Sequence, residues 1–266
     1  MIFTPEDHTF VLCAYGQSPY LEDCLRSLAA QRVRTPCLIA AAAPSPFLER
    51  AAARAGVPLR IRNGEPGIGA DWNFALSVAE TPLVTLAHQD DLYDPGYTEA
   101  LLADLSAARD PILWFCDYAE LRNGQRVADN RNLRIKRILL SPLRLRPLWN
   151  SRFVRRRILS LGSAICCPAV TYVRPRVGEN PFSTQMKVAL DWDQWERQSR
   201  RRGAFCYRPD ALMQHRVHEA SATTAMIADH RRREEDAAMF RRFWPEGIAR
   251  FLERRYARSE DQNRLE

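Results

Sequence analysis

Short apolar runs alternate with amphipathic stretches along the first 125 residues, and the two patterns have different periods. Between the apolar runs, apolar residues recur every three or four positions, as Leu21, Cys24, Leu25 and Leu28 do. This spacing predicts helices at residues 19–31, 46–55, 72–79 and 95–109. The apolar runs predict β-strands at residues 9–14, 36–42, 57–62, 83–87 and 112–121. Alternating strands and helices are typical of an α/β fold with a mostly parallel sheet.

From about residue 130 the pattern becomes irregular. Leucines and isoleucines alternate with arginines through Pro142 and Pro147, which predicts short amphipathic pieces in an inserted or mobile segment. Regular patterns then return. They predict a strand at residues 169–174, a helix at 190–202 that Gly203 closes, extended pieces at 204–207 and 212–218, and a charged helical end from residue 225.

The composition is that of an ordinary folded protein. Of the 266 residues, 46% are hydrophobic and 27% are charged, which excludes a globally disordered, collagen-like or coiled-coil chain. No apolar run approaches the roughly 20 residues that span a bilayer. Because Glu6, Asp7 and His8 stand where a signal peptide needs an apolar core, we expect a cytoplasmic protein. The seven cysteines show no CxxC spacing, which argues against a disulfide framework or a structural zinc site.

Positive charge is concentrated in one segment. The formal net charge is +7, and residues 130–178 contain no Asp or Glu. Such a field attracts phosphate, an acidic lipid surface or nucleic acid. Apolar residues between the arginines favour an anionic membrane, at whose inner face the protein would be peripheral. Aromatic residues are sparse, which argues against single-stranded RNA, and no nucleic-acid partner is expected. The basic residues are Arg131, Arg134, Lys136, Arg137, Arg144, Arg146, Arg152, Arg155, Arg156 and Arg157.

Two acidic clusters could carry chemistry. The apolar run 83–87 ends in His88-Gln89-Asp90-Asp91, and carboxylates at the end of a central strand could hold a divalent cation together with a diphosphate. The alternative is that these residues cap the next turn or helix. Asp191 and Asp193 stand where the later helix begins, so one of them could act as a general base or both could simply favour the helix start.

A third cluster is His215-Arg216-Val217-His218. If this piece is extended, Arg216 and His218 share a face and can contact phosphate or metal together, although a solvated strand face has the same pattern.

Taken in order, these segments resemble family 2 glycosyltransferases of the GT-A fold. Cys13-Ala14-Tyr15-Gly16 is similar to the family's opening strand and turn, and Asp71-Trp72-Asn73 to the segment whose Asn lies near the donor. The His88–Asp91 cluster stands where the family has its DxD-type motif. The residues from Asp191 to Arg197 resemble its Glu-Asp-x-x-x-Trp region, and those from Arg216 to Ser221 its late Arg-x-His-x-x-Ser signature.

The resemblance implies an inverting, hexosyltransferase-like enzyme that uses a nucleoside-diphosphate sugar and Mn²⁺ or Mg²⁺. Its acceptor would be a glycan, a lipid-linked group or a protein, in the synthesis of cell-surface polysaccharide or glycoconjugates. Asp191 would be the catalytic base. Asp91, with Asp90 and His218, would hold the metal. The donor-binding residues would be Cys13, Tyr15, Asn73, His88, Gln89, Asp90 and Arg216.

The resemblance also divides the chain and shows where it differs from the family. Residues 1–125 would be the donor-binding half, 126–168 a basic amphipathic insertion, and 169–266 the acceptor-side catalytic half with the C-terminal helices, all in one continuous domain. His88 replaces the first Asp of the DxD-type motif, Leu190 replaces a Glu, and Ala40–Ser45 lacks the Asp that reads the nucleobase. A catalytically altered GT-A-like protein and a basic module that binds membrane or nucleic acid are therefore the alternatives.

Overall fold

The computed structural model describes residues 2–218 and 231–261, with side chains to residue 256. Its strands are β1 (His8–Ala14), β2 (Cys37–Ala41), β3 (Leu59–Ile61), β4 (Leu83–His88), β5 (Leu92–Tyr93), β6 (Pro111–Arg122), β7 (Gln125–Val127), β8 (Val170–Val173) and β9 (Ala204–Val217). Its α-helices are α1 (Leu21–Ala29), α2 (Pro46–Ala55), α3 (Ile68–Ser77), α4 (Tyr97–Ala107), α5 (Arg131–Leu140), α6 (Arg152–Leu159), the single turn α7 (Arg174–Val177), α8 (Leu190–Ser199), α9 (Arg231–Arg241) and α10 (Glu246–Asp261).

The strands form one mixed sheet in the order β3-β2-β1-β4-β8-β6-β9-β5, with β7 paired to β6. Strands β1 to β4 are parallel, β8 runs antiparallel between β4 and β6, and β9 runs parallel to β6. Six strands therefore point the same way, which confirms the predicted α/β fold with a mostly parallel sheet. Because β9 joins the same sheet as β1 to β4, strands from the first and last thirds of the chain share this sheet.

Local sequence patterns explain where several helices and turns in the first half of the chain begin and end. Helix α1 buries Leu21, Cys24, Leu25 and Leu28, the four residues whose spacing predicted it. Gly56 ends α2 in the left-handed conformation, with a φ of 65°, where a residue without Cβ is least strained. At the turn between β6 and β7, Asn123 and Gly124 both have positive φ, as a tight hairpin requires.

The late extended region differs from the prediction. Residues 204–207 and 212–218 were expected as two pieces, whereas Ala204–Val217 is a single strand paired with β6 along its length. The interruption in the sequence pattern is a bulge: Cys116 pairs with Arg208 and Asp117 with Ala211, which leaves two residues of β9 unpaired between them. Pro209 lies in this gap, where its missing N–H costs no ladder hydrogen bond.

The basic segment is built from short pieces, as predicted. Helices α5 and α6 flank two 3-10 turns, Ser141–Arg144 and Arg146–Asn150. The pieces pack onto the core through Leu133, Leu143, Trp149 and Ile158. Arg155 is buried and donates to the carbonyl groups of Ser199, Arg201 and Gly203, so part of the cationic cluster ties α6 to the end of α8.

Candidate active site

The end of β4 is joined to the loop after β1. The side chain of Gln89 accepts a hydrogen bond from the N–H of Tyr15 at 3.0 Å and donates one to its carbonyl at 2.9 Å. Cys13 pairs with His88 across the two strands, and the His88 ring stacks on Trp72 with ring centroids 5.2 Å apart. Burial, with a smaller effect of the Asp71 charge, raises the pKa of the Cys13 thiol to about 12. The Gln89 amide thus holds the loop in place, and the Tyr15 side chain is left exposed above it.

Asp90 follows Gln89 just after the end of β4 and contacts two other segments. Its Oδ1 accepts a 2.5 Å hydrogen bond from Ser18, and its Oδ2 lies 3.4 Å from Nε2 of His218. The two functional side chains come from the end of β4 and the residue just after β9. A carboxylate and an imidazole are thereby brought together at the carboxyl edge of the sheet.

Arg216 and His218 do share one side of the chain, as the sequence predicts. The guanidinium of Arg216 lies 4.1 Å above the Tyr20 ring, and the His218 ring lies 5.0 Å from the same ring. Arg216 Nε donates to the backbone carbonyl of Asp90 at 2.8 Å. A planar cation stacked on an aromatic ring is held in orientation. Ser221, the last residue of the predicted signature, lies outside the described residues.

Asp91 points the other way and is buried. Its Oδ1 accepts hydrogen bonds from the backbone N–H of Arg216 at 2.8 Å and from Nδ1 of His215 at 3.1 Å. Within residues 2–218 and 231–261, three or more His, Cys, Asp or Glu side chains nowhere assemble into a metal site. The three predicted metal ligands are thus placed differently: Asp90 and His218 lie together, whereas one oxygen of Asp91 anchors β9. Their role as metal ligands stays a prediction.

Asp191 occupies the first turn of α8 and is half-buried. Its Oδ1 accepts a 2.6 Å hydrogen bond from the N–H of Trp192. Burial raises its pKa from the usual 3.8 to about 6, against the opposing effects of that N–H and of the nearby Arg232 and Lys136 charges. A carboxylate with this pKa is a better proton acceptor near neutral pH than an ordinary Asp.

The neighbouring Asp193 has a different role. It is buried, one oxygen accepts from Arg197 at 2.7 Å and the other from Arg242 at 2.5 Å. Because both oxygens are engaged in ion pairs, Asp193 fixes α8 against the C-terminal helices. The structure thus separates the two carboxylates between which the sequence left the choice open.

The chain before Asp191 is held by Glu235 of α9. The Glu235 carboxylate accepts hydrogen bonds from the consecutive N–H groups of Lys187, Val188 and Ala189, at 2.8–2.9 Å. These contacts place a negative charge at the start of α8, where the helix dipole favours it. Nothing in the local sequence marks Glu235, because its partners lie about 47 residues earlier in the chain.

Asn73 joins α3 to the segment around Phe182. It exchanges two 2.9 Å hydrogen bonds with the backbone of Phe182, so its amide group is committed to protein contacts. An open cleft of about 730 Å³ lies beside it, between α3, residues 180–185 and α8. Asn73, Asp193 and Arg197 are among the residues that line it. The cleft has the size of a small-molecule site.

The charges of Asp91 and Asp191 both act on the buried Cys166 thiol. Burial raises the pKa of the Cys166 thiol, and both carboxylates add to this rise. In the basic segment, the Nζ of Lys136 donates to the Tyr118 hydroxyl at 2.8 Å, and its charge acts on both Asp191 and His215. Nothing in the sequence distinguishes Lys136 from the surrounding basic residues, because only the fold turns its side chain inward.

The Asp90–His218 pair fits a hard divalent cation. Mg²⁺ and Mn²⁺ are commonly held by one or two protein ligands, with phosphate oxygens and water completing the coordination. One carboxylate and one imidazole at the sheet edge supply such a partial set. The Oδ2 atom of the adjacent Asp91 is buried without a hydrogen-bond partner among the described residues.

Comparisons with known proteins identify the fold. No family model and no curated protein matches the chain. TarS from S. aureus, solved in complex with UDP-GlcNAc, matches with a TM-score of 0.60 and 15% identity, over 92% of this chain and 70% of that chain. The mannosyltransferase PcManGT from Pyrobaculum calidifontis, in complex with GDP-Man and Mn²⁺, matches with a TM-score of 0.62 and 15% identity, over 90% of this chain and 65% of that chain.

A third match is glucosyl-3-phosphoglycerate synthase from Mycobacterium tuberculosis, in complex with Mn²⁺, UDP and glucosyl-3-phosphoglycerate. Its TM-score is 0.57 and its identity 16%, over 90% of this chain and 80% of that chain. This chain therefore has the α/β fold of GT-A-type glycosyltransferases. Among its described residues, no helix is long and apolar enough to span a membrane.

Proposed function

We propose that this chain is an inverting, metal-dependent glycosyltransferase of the family 2 kind, which moves a sugar from a nucleoside-diphosphate sugar to an acceptor hydroxyl. One observation carries the proposal. Asp90 and His218 pair at the carboxyl edge of β4, and burial raises the pKa of Asp191, in the first turn of α8, to about 6. Open α/β sheets bind their ligands at this edge.

Asp90 and His218 would hold Mn²⁺ or Mg²⁺, which would neutralise the charge that develops on the departing diphosphate. Arg216, braced by Tyr20 and by the Asp90 carbonyl, would donate charge-assisted hydrogen bonds to phosphate oxygens. Tyr15 would cover the nucleoside, since its ring is exposed on a loop that Gln89 holds to β4. Cys13, His88 and Asn73 would shape the pocket around the donor.

Asp191 would act as the general base. It would remove the proton from the acceptor hydroxyl as that oxygen attacks the anomeric carbon, on the face opposite the leaving diphosphate. A single displacement of this kind inverts the configuration at the anomeric carbon. The braces by Glu235 and Asp193 would keep the carboxylate in position for the attack.

The end of β2 lacks a side chain that would select one nucleobase of the donor. Ala40, Ala41 and Ala42 are buried and offer no carboxylate to a nucleobase. The solved structures with this fold contain UDP-GlcNAc in one case and GDP-Man in another. We propose a hexose donor, with an acceptor hydroxyl on a glycan, lipid-linked group or protein in the synthesis of cell-surface glycoconjugates.

Two other functions follow from particular residues. His88 and Leu190 replace acidic residues of the resembled motifs, so a protein that binds the donor without turnover is one alternative. A basic binding module is the other. Product release distinguishes the proposed enzyme from both alternatives, because only an active enzyme liberates nucleoside diphosphate from its donor.

Donor binding is tested by thermal denaturation with a panel of nucleoside diphosphates and their sugars, each with and without Mn²⁺. We expect one base to raise the melting temperature selectively, in a Mn²⁺-dependent way that Asp90→Asn abolishes. Asp110→Asn is the matched control, because Asp110 is exposed and has a positive φ that Asn tolerates. No stabilisation by any nucleotide would contradict the proposed function.

A further inference from the structure

One surface of the molecule combines exposed aromatic and aliphatic side chains with arginines. It is formed by α6, Leu161 in the turn after it and the first half of α10, and we name it the α6/α10 face. Its exposed apolar residues are Phe153, Leu161, Ile248 and Phe251, whose exposed fractions are 71%, 45%, 45% and 59%. Aromatic side chains this exposed are uncommon unless the surface binds something.

On α6 the face follows the helical repeat. Phe153 and Arg157 are four residues apart and so lie along one side of the helix, and the exposed Leu161 follows in the turn after it. The opposite side, with Arg155, Ile158 and Leu159, is buried. The Arg157 guanidinium lies 5.5 Å from the centre of the Phe153 ring and 4.8 Å from that of Trp244, which joins α6 to the segment just before α10.

On α10 the same arrangement recurs. Ala249, Leu252 and Tyr256 pack toward the core, and Tyr256 approaches Gly162 next to Leu161. Ile248, Phe251 and Arg255 follow each other at three- and four-residue spacing on the adjoining exposed side. Exposed apolar residues thus lie on both helices, which the Arg157–Trp244 and Tyr256–Gly162 contacts bring together, and we call these residues the apolar strip.

Among the described residues, the charged side chains on the same sides of α6 and α10 as the apolar residues are Arg157 and Arg255. Residues 130–178 contain no Asp or Glu, and on the described part of α10 Arg254 and Arg255 flank the apolar side. Glu246 and Glu253 are seven residues apart and so share a different side of α10, where Glu246 pairs with Arg241 and Arg250. A partner of this face must therefore be anionic and able to receive apolar side chains.

We propose that the α6/α10 face docks on the surface of an anionic lipid membrane. Phe153, Leu161, Ile248 and Phe251 enter the interfacial region, while the arginines contact lipid phosphates. Each basic residue near such a surface contributes modestly, so several act together, and the apolar strip sets the depth of insertion. Nucleic acid fits less well, because Leu161 and Ile248 offer no ring on which bases stack. This inference does not depend on the sugar-transfer reaction.

Vesicle flotation tests the proposal. The protein is mixed with phosphatidylcholine vesicles that contain or lack phosphatidylglycerol, at low and at physiological salt. We expect co-flotation only with the anionic vesicles, weakened by salt. Phe153→Ser together with Phe251→Ser should weaken partitioning by about tenfold or more, since both rings leave water on docking. Ile2→Ser, at an exposed position outside the face, is the matched control.

A folding control and a second pair of variants complete the flotation experiment. Circular dichroism checks that the double variant is folded, and if it is not, Arg254→Gln with Arg255→Gln tests the charged part, with Arg50→Gln on α2 as control. Equal flotation of wild type and face variants would overturn the proposal. So would flotation that does not depend on lipid charge. Loss of RNA binding in the serine variants, with vesicle flotation unchanged, would instead assign the face to nucleic acid.

Discussion

The carboxylate of Asp90 and the imidazole of His218 lie 3.4 Å apart at one edge of the sheet. They reach this position from distant parts of the chain, one at the end of β4 and the other immediately after β9. Parallel strands end at the same edge, which is why the fold joins them. The proposed metal and diphosphate site depends on this pair, and the first prediction follows from it.

We expect Asp90→Asn and His218→Ala each to weaken Mn²⁺-dependent nucleotide binding by at least about tenfold, equivalent to about 1.4 kcal/mol. Binding without Mn²⁺ should change much less, because only the metal contact is lost. Isothermal titration with nucleoside diphosphate at several Mn²⁺ concentrations measures this. Asp110→Asn serves again as the control, and an unchanged Mn²⁺ dependence in both variants would remove the pair from the metal site.

Turnover should depend on the protonation of Asp191. Burial raises the pKa of this carboxyl to about 6, and a general base acts only when deprotonated. We therefore expect kcat/KM to fall below about pH 6 and to level off above it. The measurement is a pH–rate profile from pH 5 to 8 at saturating Mn²⁺. A flat profile across this range would be inconsistent with Asp191 as the base.

The same pKa shift predicts an effect on stability. Between pH 3.8 and about 6 the unfolded chain releases the Asp191 proton while the folded protein keeps it, so rising pH disfavours the folded state through this group. Asp191→Asn removes the effect and should stabilise the protein above pH 6 by at most about 3 kcal/mol. Urea unfolding at pH 4.5 and pH 8 compares the two proteins. A gain that is larger at pH 4.5 would contradict this assignment.

Glu235 should influence catalysis without touching the substrate. Its carboxylate accepts from three consecutive N–H groups before Asp191, and Glu235→Gln replaces a charged acceptor by a weaker one. We expect kcat to fall severalfold with little change in nucleotide affinity, together with a loss of about 1–3 kcal/mol in stability. Steady-state kinetics and urea unfolding measure both quantities. The neighbouring exposed Glu234 provides the control, Glu234→Gln, and equal effects of the two changes would argue against a positioning role.

Local sequence patterns predicted the elements of this fold well. Apolar periodicity located β1 to β4 and α1, and the Gly56 and Asn123-Gly124 signals ended or turned the chain where expected. These features depend on residues a few positions apart. The bulge in β9 was not predicted, because Pro209 looks like a strand break until β6 is seen to pair on both sides of it.

The sequence predicted that the segments around Asp90 and His218 meet at one edge of the sheet, but not the direction of each side chain. Asp90 and Asp91 are adjacent and chemically alike, and only the contact of Asp91 with Arg216 and His215 of β9 shows which carboxylate is buried. Lys136 and Glu235 were missed for the same reason. Their partners lie far away in the sequence, where no periodicity or spacing connects them.

The central claim is that Asp191 drives sugar transfer from a nucleotide donor held at the Asp90–His218 edge. The most direct test follows release of nucleoside diphosphate, with Mn²⁺, from the donor selected by thermal denaturation, in the presence of a panel of hydroxyl acceptors. We expect Asp191→Asn to lower the rate by about 10²–10⁴-fold, with donor binding near wild type, while Asp210→Asn, at an exposed carboxylate, retains full activity. An Asp191→Asn variant that releases nucleotide at the wild-type rate would contradict the account.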